Sequence, residues 1–231
     1  VIVDVAATAL NRADLLQRRG LYPGPPMAVE IPGMEYAGTI AAVGERVERW
    51  SVGDAVMGIV GGGAYAEQVA VDERQVMAVT EAVGLPDAAA IPEAFPTAFD
   101  ALVVQGGLTS GRWAFIHAGA SGVGTAAIQI AKAIGARVIA TASEHKLAAC
   151  HDLGADVVVD YRNDDPVARA KEATGAGGVH TVLDVVGADT LAANLKVAGT
   201  GARIVQVGTM AGGSGEINLG ALMMKRVALI G

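Results

Sequence analysis

Cysteine is almost missing from this 231-residue chain. Cys150 is the only one, which rules out an internal disulfide and makes a reducing, cytoplasmic setting the expectation. A basic excess is missing too: 17 Lys and Arg stand against 24 Asp and Glu, for a formal charge of -7. That is the wrong sign for a nucleic-acid footprint, so no nucleic-acid partner is expected. No uninterrupted apolar run approaches the roughly 18 residues of a membrane span, so no membrane partner is expected either. Aromatic residues make up only 4%, which leaves a pocket for a flat ligand with aliphatic walls. The chain opens on Val1, in mid-strand, with neither an initiator methionine nor a signal-peptide n-region.

Glycine and aliphatic residues are abundant. With 31 glycines and 52% hydrophobic residues the chain can build a large core and many turns, enough for two modest domains. The most informative stretch runs from Trp113 to Gly124, WAFIHAGASGVG, followed by TAAIQIAKAIGA: an apolar run breaks into a glycine turn that opens an amphipathic helix. Gly119 is expected to take the tight turn. Gly122 and Gly124, on either side of Val123, leave room for a pyrophosphate and for close helix-strand packing, and the helix N-terminus offers free N–H groups and a positive dipole end. The fit to G-x-G-x-x-G is imperfect, because Ser121 holds the middle glycine position, and a plain βα turn of small residues is the alternative reading of this loop alone.

The surroundings favour the dinucleotide reading. Short β-branched runs follow at Arg137 to Ala142, Asp156 to Asp160, Val179 to Val186, Ala202 to Val207 and Arg226 to Ile230. Between them, helical spacing is expected over Glu144 to Leu153, Pro166 to Thr174 and Ala188 to Ala198, each stopped by a glycine. Asp165 and Pro166 read as a cap and a first helical residue. With Trp113 to Ala118 this predicts an α/β fold with a six-stranded parallel Rossmann sheet covered on both faces. Upstream, Ile31 to Val79 alternates in short runs punctuated by Gly and Pro and predicts a mostly antiparallel β domain. The boundary falls in AAAIPEAFPTAFDALVVQ, a helix broken or bracketed by Pro92 and Pro96. The division is placed at 1–94 and 95–231.

The succession NRADLLQRRGLYPGPP, IPGMEYAGTIAAVG, VGDAVMG, GGGAYAEQVAV, AAAIPEAFPTAFDAL and GASGVGTAAIQIAKAIGA resembles the medium-chain dehydrogenase/reductase superfamily, and within it the zinc-independent, zeta-crystallin-like quinone oxidoreductases. The resemblance covers essentially the whole chain. It implies an NADPH-dependent reductase with a GroES-like β domain, usually a homodimer or homotetramer in which the last strand pairs with its twin. It also implies a fragment truncated at both ends, since the family's opening strands and return segment are absent. In zinc-dependent relatives Cys and His ligands stand in these motifs, whereas Asn11, Met34 and Glu93 hold the corresponding places here. Catalytic zinc needs about three protein ligands from His, Cys and carboxylate, so no metal is expected, and the four histidines are read as structural or solvated.

Cofactor choice turns on the end of the second Rossmann strand. About 20 residues after the glycine loop an NAD enzyme places an acidic residue; here Ser143 stands there, with Glu144 next and expected to face away. Lys146 can pair with a 2'-phosphate, and Tyr161 matches the family's phosphate-contacting tyrosine. The expectation is NADPH over NADH, against a reading of Ser143 as a plain N-cap and Lys146 as a solvated lysine. The family pattern places Thr97, Ser121, Gly208, Thr209 and Met210 near the nicotinamide or its ribose, with Gly187 beside the cofactor where backbones approach closely. For the substrate, Asn11, Asp14 and Tyr22 are the candidates, Asn11 and Asp14 sharing a face if the stretch is helical. Asn11, Tyr22 and Ser121 carry the catalytic expectation. A developing phenolate needs a hydrogen-bond donor more than a strong base, and without a Lewis acid a small electron-poor acceptor such as a quinone fits better than an alcohol. Reduction of an activated carbon-carbon double bond and a non-catalytic NADPH-binding role stay open.

Overall fold

The computed structural model describes residues 1–22 and 31–231; Pro23 to Pro26 of the first resemblance motif lie outside the described residues. The chain divides into two compact units, Val1–Pro96 and Thr97–Gly231.

In the first unit, β1 (Ile2–Ala7), β2 (Glu35–Ala42), β3 (Ala55–Ile59), β4 (Gln68–Ala70) and β5 (Val76–Ala78) form one sheet in the order β4-β1-β2-β3-β5. All four pairings are antiparallel. Alternation works as the sequence demands, with Val3, Tyr36, Ile40, Val56, Val69 and Val76 packed together inside. The short helices are α1 (Arg12–Gln17) and α2 (Leu85–Ala88), and α3 (Ala94–Phe99) spans the end of the unit.

The second unit holds β6 (Trp113–Ile116), α4 (Gly122–Ile134), β7 (Arg137–Ala142), α5 (Leu147–Asp152), β8 (Val157–Asp160), α6 (Pro166–Thr174), β9 (Val179–Asp184), α7 (Ala188–Val197), β10 (Ala198–Gln206), α8 (Leu219–Lys225) and β11 (Ala228–Ile230). The sheet order is β11-β10-β9-β6-β7-β8, parallel throughout. This is the doubly wound dinucleotide-binding order, with the reversal between β6 and β9, where a ligand is expected at the carboxyl ends of the strands. The α/β architecture and the antiparallel β unit are those expected from the sequence, and β11 is an edge strand.

Local differences have physical reasons. Pro96 does not break its helix; it sits in the first turn of α3, where a missing N–H costs nothing. The chain then widens into a π-type turn over Asp100–Gln105, with Gly106 N–H donating to Ala101 O at 2.9 Å. The helix expected over Glu144 to Leu153 splits into a 3-10 turn, Glu144–Lys146, and α5. β10 starts directly after α7, at Ala198 rather than Ala202, and passes through a register irregularity. β11 starts at Ala228 because Arg226 takes a left-handed φ of 52 at the end of α8.

Candidate active site

The glycine loop is built between β6 and α4. After Ile116 comes His117, buried at the end of the strand, and then Ala118, which turns the chain with a left-handed φ of 50. The tight turn expected of Gly119 is therefore taken by the alanine before it. Gly119 must be small for another reason: a Cβ there would stand 2.8 Å from Ala140 Cβ and 3.2 Å from Cys150 Sγ. At Gly124 an added Cβ would meet Ala118 O at a distance no real Cβ adopts, so α4 lies tight against the loop. Ser121 caps this helix, its Oγ accepting from Gly124 N–H at 3.1 Å. Thr125 N–H is taken by Ser121 O. Among the described residues nothing accepts from Gly122 N–H or Val123 N–H. Two free donors at the positive end of a 13-residue helix fit an anionic diphosphate.

Along the edge, β7 delivers Ser143, and β8 delivers Tyr161 and Arg162. A cavity of about 360 Å³ is lined by Ser143, Glu144, His145, Asp160, Arg162 and Asn163. Ser143 precedes the 3-10 turn, but its hydroxyl caps nothing; its carbonyl accepts from Lys146 N–H at 2.8 Å. Lys146 is exposed on that turn. Glu144, expected to face away from the ribose, is exposed and lines the cavity. Asp160 is occupied locally, accepting from Asn163 Nδ2 at 2.6 Å and Arg162 N–H at 3.1 Å. Arg162 was not singled out in the sequence. Its guanidinium lies 5.6 Å from the Tyr161 ring centroid, and its Nε donates to the Tyr161 hydroxyl at 3.3 Å. A cation immediately after the candidate tyrosine was the signal available.

On the other side of the reversal, the β9 end is organised by Asp184, which is fully buried. Its carboxylate accepts from Val186 N–H at 2.6 Å, Gly187 N–H at 3.0 Å, Thr190 Oγ1 at 2.6 Å and Asn194 Nδ2 at 2.5 Å. Gly187 has φ 101, and a Cβ there would stand 2.5 Å from Gly212 O and 3.0 Å from Thr209 Cα. The loop carrying Gly208, Thr209 and Met210 is thus laid backbone to backbone on the loop after β9, with Met210 N–H donating to Val185 O at 3.3 Å. Met210 is 41% exposed. Thr97 is half-buried on α3.

The acceptor-side candidates lie in the first unit. Asn11 is not in α1 but immediately before it, with extended backbone, and its N–H donates to Asp14 Oδ2 at 2.7 Å. Asp14 is 3% exposed. It also accepts from Tyr65 OH at 2.9 Å and Gly33 N–H at 3.2 Å. The substrate role expected of Asp14 does not fit this placement: the carboxylate is buried and holds the turn together. The Asn11 side chain donates from Nδ2 to Glu35 Oε1 at 2.6 Å. Glu35 Oε2 accepts from Glu93 N–H at 2.9 Å. Burial raises the Glu35 carboxyl above the ordinary carboxylate range against the pull of these bonds, and burial together with the Glu35 and Asp14 charges raises Glu93. Tyr22 is 40% exposed. Met34 is buried, and among the described residues no group of three or more His, Cys, Asp or Glu is placed to hold a metal ion. No helix is long and apolar enough to cross a membrane among the described residues.

The chain is similar to known proteins over both units. Residues 1–81 match the alcohol dehydrogenase GroES-like domain and residues 122–231 the zinc-binding dehydrogenase family. Quinone oxidoreductase-like protein 2 of Mus musculus is 32% identical over the whole of this chain, which covers 67% of that protein. The Escherichia coli quinone oxidoreductase crystallised with NADPH is 31% identical with a TM-score of 0.88, over 99% of this chain and 71% of that one. The enoyl reductase CurK is 31% identical with a TM-score of 0.86, over 100% and 71%. The chain spans about two thirds of the length of such curated relatives, 64% of the one from Nematostella vectensis. On these matches the chain belongs to the medium-chain dehydrogenase/reductase superfamily, in its quinone oxidoreductase-like branch.

Proposed function

We propose that the protein is an NADPH-dependent reductase that passes hydride to a quinone without zinc. The observation that carries this reading is the pair of unpaired N–H groups of Gly122 and Val123 under the Ser121 cap, at the carboxyl edge where β6 and β9 meet. Gly119 and Gly124 let the loop and α4 pack closely beneath those groups, and the diphosphate would rest on them. Ser143, Lys146 and Tyr161, with Arg162 beside the tyrosine, would take the 2'-phosphate; of the two carboxylates lining the same cavity, Asp160 is engaged by Arg162 N–H and Asn163, and Glu144 favours a free ribose instead. Thr97, Gly187, Gly208, Thr209 and Met210 would border the nicotinamide end. When bound, the reduced nicotinamide supplies the hydride.

The protein's own part is to orient the acceptor and stabilise the charge that develops on its oxygen. Asn11 and Tyr22 would donate hydrogen bonds to that oxygen, and Ser121 would stand near both rings. Asn11 and Met34 are poor zinc ligands compared with His or Cys, which favours an acceptor that needs no Lewis acid. Similarity to CurK supports a second reading, in which the same hydride attacks an activated carbon-carbon double bond. By analogy with the family, β11 would pair with its twin in a homodimer or homotetramer.

The test is turnover of the full-length protein with NADPH and with NADH on a panel of quinones and enones. Quinone turnover dependent on NADPH supports the proposal, enone turnover alone replaces it by the second reading, and binding without any turnover leaves a nucleotide-binding protein. Zinc retained through chelator dialysis and required for turnover would overturn the metal-free reading, and sedimentation as a monomer at micromolar concentration would overturn the pairing of β11.

A further inference from the structure

Glu35 is an expensive residue to place where it is. It opens β2, is 1% exposed, and has no cation among its partners, with burial first and then the Asp14 charge disfavouring its own. A buried carboxylate without a counter-ion destabilises a fold unless hydrogen bonds compensate. Here the donors are Asn11 Nδ2 and the Glu93 backbone N–H. An apolar residue would serve the sheet better, so the value of the group lies in what it does to its partners.

A carboxamide has two N–H groups and one oxygen, and free rotation about its last bond exchanges the donor and acceptor sides. An acceptor-only carboxylate at 2.6 Å from Nδ2 removes that freedom. One N–H is bound to Glu35, so the second is held in a single direction and the amide oxygen is kept away from Glu35. We infer that Glu35 is a positioning residue for Asn11, fixing its amide so that an N–H rather than an oxygen is offered to the acceptor. The inference rests on the proposed role of Asn11. It predicts that a neutral, isosteric glutamine, which has both a donor and an acceptor to offer, lets the Asn11 amide turn over.

The test uses the full-length protein with NADPH and 1,4-naphthoquinone. Glu35→Gln is expected to lower kcat by roughly tenfold or more while the Kd for NADPH stays within about twofold. Asn11→Ala is expected to lose as much, and the double variant no more than Asn11→Ala alone, because both changes remove one interaction. Full kcat in Glu35→Gln alongside an impaired Asn11→Ala overturns the inference and spares the acceptor-side reading, and so do additive losses. Full kcat in Asn11→Ala overturns that reading and the inference with it. Should Glu35→Gln fail to fold, the side-chain amide of Asn11 in the unaltered protein answers, its NMR signals identified by their loss in Asn11→Ala. One proton protected from exchange and a second perturbed by naphthoquinone supports the inference, and two equally exchanging protons overturn it.

Discussion

The ring Nε2 of His117 lies 2.8 Å from the side-chain oxygen of Asn194, and this contact decides which ring nitrogen carries the proton. Asn194 Nδ2 donates to Asp184, so its oxygen is left to accept and His117 must donate from Nε2. Nδ1 is then the acceptor, reached by the Thr141 hydroxyl at 3.4 Å, while Thr141 Oγ1 accepts from Ala118 N–H at 3.3 Å. A directed chain of polar contacts thus runs from the start of the glycine loop to the carboxylate that holds the loop after β9.

Breaking this chain at Asn194 should be costly. Asn194→Leu removes one donor to a fully buried carboxylate and the acceptor for His117 together, and about 3 kcal/mol or more of stability is expected to go. Urea unfolding measures it; a loss under about 1 kcal/mol would show that water or rearrangement satisfies both groups.

His117 sets a pH dependence. Burial holds its pKa below the ordinary value near 6.5, against the pull of Asp184 and the bond to Asn194. Between the folded and unfolded pKa values the unfolded chain binds the extra proton, so stability rises with pH through that window. It is complete above about 6.5 and is lost as pH falls below it. Glu35 and Glu93, raised by burial, give the opposite slope at lower pH, and they remain in a His117→Gln variant. The difference between the urea midpoints of the two proteins should therefore narrow as pH falls from 7.5 to about 5.5; a constant gap would mean His117 does not titrate differently on folding.

Two glycines offer a matched pair. Gly124→Ala drives a Cβ into the Ala118 carbonyl, whereas at Gly44 an added Cβ meets nothing within 4 Å. Gly124→Ala should cost about 1–3 kcal/mol by overpacking and weaken NADPH, while Gly44→Ala should leave both thermal stability and binding as they were. Equal behaviour of the two in calorimetry would defeat the steric account of the loop.

On the proposed placement of the 2'-phosphate, Arg162→Ala should weaken NADPH roughly tenfold or more through loss of a charge-assisted contact, with NADH unaffected. Isothermal titration of both nucleotides checks this, and a parallel loss for NADH would reassign Arg162 to holding Tyr161.

Much of this was legible because its cause is local. The strand and helix periods, the Ser121 cap and the glycine stops follow from short-range chemistry, and the strand pattern sufficed for the sheet. What escaped depends on residues far apart. Asp14 reads as a substrate candidate until Tyr65, 51 positions away, and Gly33 bury it. Ala118 takes a left-handed turn that propensity assigns to its glycine neighbour, because Gly119 and Gly124 are needed for close packing. Glu35 and Asp184 each stand in an apolar strand, EYAGTIAA and VHTVLD, and a lone carboxylate in such a run was the available sign.

His117 and Asn194 are 77 positions apart, one following β6 and the other in α7, and they belong to opposite halves of the parallel sheet, whose strands pair where β6 meets β9. Neither half by itself can assemble the polar chain, so a break in that seam would leave strands with their own neighbours while the carboxyl edge loses its registration. Loop closure over such a span is entropically unfavourable, and the His117–Asn194 contact is accordingly a reporter of whether the two halves have come together.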